Sequence, residues 1–408
     1  MNSVNAESLE TAWLSALHDN HSIKAAQATA SASEQQLQAA QSQRLPSLNV
    51  SGGYTQFNAP LAARTDIAGQ AYQFNTAPAG SSKVQAIASV PLFTSGRISH
   101  NIDAAEASLQ ASQANEASTI SAIKLQIAES YIAVLRAQSA EQVARQHLTS
   151  LTTHAQEVAQ RYEQGLVAKN DALAANVARL NAEQTLMQVS NQLDYAKSHY
   201  NQLLNRPLSA QVTLESLKPQ LPTGTLENLT QSALMGRFEL QVLARQMASL
   251  SQQSGSVKAE LLPQVALNSG YIYQENRYQA NQGLWLAGVD VQWKLDASVS
   301  HKGDALSKQL AALKEQREDL ANQISLQVRQ TWLDIQESQQ RIQVTAQAIA
   351  QAEENYRISN ERYQQGLITH SELLQAEDLK TNSLDNHNNA HYDYSLAVLR
   401  LRRAVEIL

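Results

Sequence analysis

Residues 161–174 read Arg-Tyr-Glu-Gln-Gly-Leu-Val-Ala-Lys-Asn-Asp-Ala-Leu-Ala, and residues 362–375 read Arg-Tyr-Gln-Gln-Gly-Leu-Ile-Thr-His-Ser-Glu-Leu-Leu-Gln. The offset of 201 positions runs back without a gap through Tyr131/Trp332, Leu125/Leu326 and Leu109/Leu310 to Val90/Val291. A second match has an offset of 217, pairing Leu45-Pro46 with Leu262-Pro263, Gly53-Tyr54 with Gly270-Tyr271 and Leu17 with Leu234. The 16-residue difference falls between Tyr54 and Val90, so the first copy carries a longer loop there. A duplicated chain of 408 residues is built from one supersecondary plan used twice. We read two structural repeats, 1–204 and 225–408, joined by a Pro-containing linker at 205–224 and interleaved in one domain.

Within each copy turns are scarce. Gly and Pro number 14 and 8, about 5% of the chain against a usual level of about 12%. A short helix is expected at 20–43 and at 237–260, each stopping near a Pro. Uninterrupted helical patterns follow at 97–163 and 298–364. At 1.5 Å per residue each spans about 100 Å. Gly165 and Gly366 break them, as Gly does at a helix C′ position. Last helices follow at 168–204 and 369–405. Laid end to end, the short and last helices nearly match the long one and could run beside it as an antiparallel partner.

Four segments between the short and long helices alternate with period 2. They are expected as strands at about 47–56, 83–92, 264–274 and 284–293. Leu48, Val50, Gly52 and Tyr54 share one face of the first. Val84, Ala86, Ala88, Val90 and Leu92 share one face of the second, with Ile87 an exception opposite. Val265, Leu267, Tyr271 and Tyr273 align in the third, and Trp285, Ala287, Val289, Val291 and Trp293 in the fourth. About ten residues is the length of a membrane strand tilted by about 45°. At that tilt Trp285 and Trp293 lie about 20 Å apart along a membrane normal, the spacing of two aromatic girdles. A single such strand fits a soluble hairpin packed on helices. Four of them, with Tyr and Trp at the ends and polar residues opposite, favour the membrane. Four strands cannot close a barrel, and open edges are forbidden in lipid. The barrel is therefore shared between subunits, and three copies give twelve strands.

Other chemistry is excluded or weak. Cysteine is absent, which removes disulfides, thiolate metal sites and Cys nucleophiles and, in the chain as given, an N-terminal lipid-carrying Cys. A net charge of −6 without a basic stripe argues against nucleic acid. There is no run of 18 apolar residues. Met1-Asn2-Ser3-Val4-Asn5 does not read as a secretory signal, which leaves a cytosolic protein or a processed form. His387/His391 and His18/His21 have helical spacing for a metal but no third ligand nearby, and are read as solvated surface. Glu377 and Asp378 are adjacent on a helix and are likewise read as a solvated face. No phosphate loop or nucleophile elbow is present, so no enzyme and no cofactor is expected. A soluble coiled-coil scaffold explains the helices but not the four alternating segments.

The duplicated halves, Leu45-Pro46-Ser47-Leu48, Leu262-Pro263, Pro91-Leu92-Phe93-Thr94-Ser95-Gly96-Arg97 and the paired Arg-Tyr-x-Gln-Gly-Leu turns together resemble the TolC-type outer-membrane efflux proteins over about residues 8–406. The resemblance implies a mostly α fold with a small β part: a trimer with a 12-stranded β-barrel in the outer membrane of a bacterium, continuous with a long antiparallel α-helical barrel across the periplasm. It implies coupling through a periplasmic adaptor to an inner-membrane pump, so that the channel is the exit duct of a tripartite efflux system. The same fold also serves one-step protein secretion. The absent signal then implies a processed form. The resemblance places the adaptor contact at Gly165, Leu166, Gly366 and Leu367, and a periplasmic aperture at Glu372, Asp171, Tyr363 and Gln375. Gln375 stands where a second acidic residue often stands, and Ile368 where an Arg often closes the lock. Tyr54, Tyr271, Tyr273, Trp285 and Trp293 are the expected membrane girdle. Two departures are Asn20-His21 and Arg237-Phe238, where Asn-Pro and Arg-Pro are usual.

Overall fold

The structure, a computed structural model, describes residues 6–408; the opening Met1 to Asn5 lies outside them, and with it the reading of the N-terminus. The elements run α1 (Leu9–Asp19), α2 (His21–Ser42), β1 (Ser47–Gln56), β2 (Leu61–Ile67), β3 (Gln70–Ala77), β4 (Gly80–Phe93), α3 (Arg97–Glu163) and α4 (Lys169–Leu203). They continue α5 (Leu226–Gly236), α6 (Phe238–Ala259), β5 (Gln264–Gln274), β6 (Gly283–Gln292), α7 (Ala297–Gln364) and α8 (His370–Ala404). The expected helices and four strands are present within a residue or two, except that β4 begins three residues earlier. Trp293 falls just past the end of β6. The loop expected between Tyr54 and Val90 is instead a hairpin, β2 and β3. Its two-residue turn, Ala68 and Gly69, has φ of +53° and +82°, the double positive φ that suits the twist of paired strands. No helix of the described residues is long and apolar enough to cross a membrane.

The chain folds into two compact units, each drawn from both halves of the sequence. The first comprises the described residues up to Ala28, with Ala114–Gln241 and Glu318–Leu408. Its apolar core has two parts. Leu9, Ala12 and Ala16 of α1 pack with Ile127, Tyr131 and Tyr200; Leu229 and Ala233 of α5 pack with Ile324, Val328 and Leu401. The pairs Ile123/Ile324, Ile127/Val328 and Val134/Ile335, related by the offset read from sequence, are all buried. The two departures before the short helices carry equivalent contacts. Asn20 Oδ1 accepts the Ser22 amide at 2.9 Å, while its Nδ2 donates to the Leu203 carbonyl at 2.9 Å. Arg237 donates to the Ala404 carbonyl at 3.5 Å and to Glu239 at 2.9 Å. Asn20 thus caps α2 with its side chain, whereas Arg237 ties the start of α6 down by donating to Glu239 and to the end of α8.

The second unit comprises Thr29–Gln113 and Val242–Arg317. Its sheet has the order β1-β4-β5-β6, antiparallel throughout. Residues directly opposite share a face, so the register sorts the side chains into rows. One face carries Val50–Ala86–Tyr271–Trp285 and Val90–Leu267–Val289. The other carries Ser47–Ser89–Asn268–Gly288 and Gly53–Lys83–Gln274, with Ile87, Ile272, Leu284 and Leu286 among them.

Two predictions follow from these local geometries. A Cβ added at Gly270 would fall 2.7 Å from Ile87 Cα, and closer still to the Ala86 carbonyl oxygen, where backbone cannot yield cheaply. Gly288 on the same face has open space. Gly270→Ala should cost about 1–3 kcal/mol by overpacking and lower the melting temperature in detergent, while Gly288→Ala leaves it unchanged. The second concerns helix starts. Thr369 caps α8 with its side chain, whereas Ala168 holds nearly the same backbone angles before α4 with no side chain to cap it. Ala168→Thr should add about 0.5–2 kcal/mol to that turn, read as slower amide exchange over 169–172.

Candidate functional site

In the first unit, α3 and α7 end in the same way. Gly165 and Gly366 have φ of +72° and +71°, a conformation Gly adopts without the Cβ penalty. Their amides donate to Tyr162 and Tyr363, and the next amides, of Leu166 and Leu367, reach back to Arg161 and Arg362 at 2.9 Å. This pattern closes the last helical carbonyls and reverses the chain. Leu166 and Leu367 are 69% and 63% exposed, so each turn presents one large apolar side chain to its surroundings.

The two turns differ at the helices they start. Thr369 Oγ1 accepts the Glu372 amide at 3.3 Å, and Glu372 Oε2 accepts the Thr369 amide at 2.7 Å, a reciprocal capping box. The Thr369 amide and hydroxyl hold the exposed Glu372 carboxyl below its usual range, opposite to the rise that crowding with other carboxylates would produce. Asp171 is partly exposed in the first turn of α4, and Gln375 is exposed one turn beyond Glu372.

Tyr363 points elsewhere. It is 9% exposed and packs with two residues that sequence reading missed, His154 of α3 (8%) and His370 of α8 (4%). Ring centroids lie 6.4 Å apart for His154–Tyr363, 6.3 Å for His154–His370 and 5.7 Å for Tyr363–His370. Tyr363 Oη, His154 Nδ1 and both His370 nitrogens have no hydrogen-bond partner. The Arg161 guanidinium lies 5.5 Å from the Tyr363 ring centre. Burial pushes the Tyr363 hydroxyl up and the His370 imidazole down.

Seven residues along each helix, a second set contains His147, Tyr356 and Glu377. His147 Nε2 and Glu377 Oε2 are buried without a hydrogen-bond partner. Glu377, read from sequence as solvated, is 4% exposed, while the adjacent Asp378 faces out. The signal was in the spacing: 147/154, 356/363 and 370/377 are each one heptad apart. The other histidine readings fare variously. His387 and His391 face each other with ring centroids 4.7 Å apart, and His18 pairs with Asp19 at 2.7 Å. Among the described residues no group of three His, Asp or Glu is gathered that could hold a metal ion.

In the second unit the apolar face of the sheet is open. Leu48, Val50, Tyr54, Val289 and Val291 are 62–69% exposed and Trp285 82%. The cross-strand pair Tyr271–Trp285 has its rings 5.2 Å apart. The Tyr54 hydroxyl donates to Gln56 at 2.7 Å, Tyr273 to Gln282 at 3.0 Å, and Trp293 Nε1 to the Leu261 carbonyl at 2.9 Å. Tyr54, Tyr273 and Trp293 thus expose apolar rings with their polar atoms satisfied, the pattern of an interfacial side chain. β1 and β6 each pair on one side only within the chain.

The family model described as outer membrane efflux protein matches residues 14–206 and 229–405. The chain is 25% identical over 331 residues to outer membrane protein TolC of Vibrio cholerae, covering 76% of this chain and 73% of the relative. It is 26% identical over 237 residues to the cobalt-zinc-cadmium resistance protein CzcC of Cupriavidus metallidurans, covering 58% of this chain and 56% of that one. The fold is shared with the outer membrane protein VceC from Vibrio cholerae, at a TM-score of 0.80 and 17% identity over 97% of this chain and 95% of that one. It is shared as well with CusC, at 0.82 and 15% over 98% and 92%. Two matched segments spanning nearly all of both halves, over the same helices and strands, show that the chain belongs to the outer membrane efflux protein family, whose members are channels and not enzymes.

Proposed function

We propose that three copies of this chain close a 12-stranded barrel in the outer membrane and form the exit duct of a tripartite efflux system. The observation that carries this reading is the sheet, with one face apolar and exposed over all four strands and both edges unpaired. Each unpaired backbone group facing lipid costs several kcal/mol, so β1 of one copy must pair with β6 of the next. In this arrangement Tyr54, Tyr271, Tyr273, Trp285 and Trp293 meet the lipid interfaces. The turns at Gly165-Leu166 and Gly366-Leu367 meet a periplasmic adaptor, Leu166 and Leu367 supplying the apolar contact. Small molecules pass from the periplasm to the exterior, driven by an inner-membrane pump. Glu372 and Asp171 line the periplasmic aperture, with Tyr363 and Gln375 beside them.

The assembly is tested by light scattering of the protein purified in detergent. Three chains per particle are expected, and a clean monomer without detergent overturns the reading.

The aperture is tested at Glu372. Three copies around one axis form an acidic ring that attracts cations and repels anions. Glu372→Gln keeps a side chain able to serve the capping box, so the variant removes charge and little else. Single-channel recording in a planar bilayer should show lower cation preference and weaker block by a trivalent cation. Conductance indistinguishable from the parent in both respects removes Glu372 from the aperture.

A further inference from the structure

Buried polar atoms without partners are rare, because each forfeits its hydration for nothing in return. The first unit concentrates several of them at one place. His154, Tyr363 and His370 form a layer between α3, α7 and α8, and four of their polar atoms are unpaired. The layer holds two imidazoles and no third donor of the kind a transition metal takes, so it does not read as a cation site. At its centre is His370, an imidazole kept dry with both nitrogens buried and unpaired.

The surrounding charges are few and of both signs. On α3 they are Glu157, whose carboxylate is 3.8 Å from His154 Nδ1 and mostly exposed, and Arg161, over the Tyr363 ring. On α4 there is Asp171, which acts on both Tyr363 and His370. On α7 the facing group is Tyr363 itself. On α8 it is His370, with Glu377 one heptad further along. No acceptor among the described residues lies within hydrogen-bond reach of either His370 nitrogen. An imidazolium formed there gains no hydrogen-bond partner and lies beside a second imidazole, with Asp171 the one charge in its favour.

We propose that the His154–Tyr363–His370 layer is a proton-sensitive latch, holding the turn between α7 and α8 against α3 while the His370 imidazole is neutral and releasing it as that ring protonates. The sign follows from linkage. Burial lowers the proton affinity of His370 in the packed state; the nearby His154 acts the same way, and Asp171 opposes. Packing is then fully favoured above the free imidazole value, about 6.5. That preference is lost as pH falls through the lower, packed-state value. Tyr363 is the piece that moves with the latch, since its ring packs against both imidazoles.

Amide hydrogen exchange of the whole chain in detergent tests this, and reads the packing of one chain whatever its cargo. Exchange over 363–377 is compared at about pH 7.5 and about pH 5.5 after correction for intrinsic rates. The parent should exchange several-fold faster at the lower pH, bounded by about tenfold per pH unit for each proton taken up. His154→Gln/His370→Gln should lose that response. His370→Phe, which keeps a ring in the same space without a titrating nitrogen, should lose most of it. Equal corrected exchange of the parent at both pH values overturns the proposal. So does a parent-like pH response in either variant.

Discussion

An extended backbone carries a donor and an acceptor at every residue, and both must be paired wherever water cannot reach. In this chain that rule bears hardest on β1 and β6, which bond to a neighbour on one side only. Much else follows from it. β1, β5 and β6 are kept to 10 or 11 residues, and the register lines up one predominantly apolar face across the sheet. The helices carry no apolar span of membrane length, because the sheet is the part that faces lipid. Glycine at Gly270 lets β4 and β5 approach closely enough to keep that register continuous.

Much of this was legible in the residues. The long helices at 97–163 and 298–364 announce themselves by the absence of Pro and near absence of Gly, and the strand faces by alternation as plain as Val265-Leu267 against Gln264-Asn268. The hairpin β2–β3 was not legible. Its turn uses Ala68 where Asn or Asp commonly takes positive φ, and Leu61, Ala63, Thr65 and Ile67 alternate too mildly to stand out from a polar loop. Glu377 was misread because a carboxylate beside another on a helix is normally solvated. It is buried only where helices meet in the fold, near Tyr356 of α7, and that contact is tertiary. The layer at His154 was hidden for the same reason: its three members come from three helices.

Polar groups in the first unit are handled in two contrasting ways. Around α5 they are fully paired. Burial alone would raise the Glu239 carboxyl, but hydrogen bonds from Arg237 and the nearby Arg403 charge bring it down to about 2. Arg403 also reaches Glu406 at 2.7 Å, and Glu406 accepts from Ser121. Asp393 is gripped by Arg136 of α3 and Arg341 of α7. Such networks leave few alternative arrangements, since removing one partner strands a buried charge. At the helix turns the pairing is incomplete. The chain thus has a rigid region where its termini and short helices meet, and a region near Gly366 where packing is held by neutral rings.

The register of the sheet has an electrical consequence. Its four strands contain two ionisable chains of ordinary charge, Lys83 and Asp290, both on the polar face. They stand at opposite ends of it, Lys83 in the row of Gly53 and Gln274, Asp290 beside Ala266. The rest of that face is Ser, Asn, Gln, Gly and a few aliphatic side chains. As the wall of a conduit shared by three chains it would carry a ring of Lys83 toward one end of the sheet and a ring of Asp290 toward the other, equal in number and opposite in sign. A cation would be drawn to the Asp290 level and opposed at the Lys83 level, and an anion the reverse. The sheet would then sort solutes by charge at two levels of opposite sign, in addition to width and wetting.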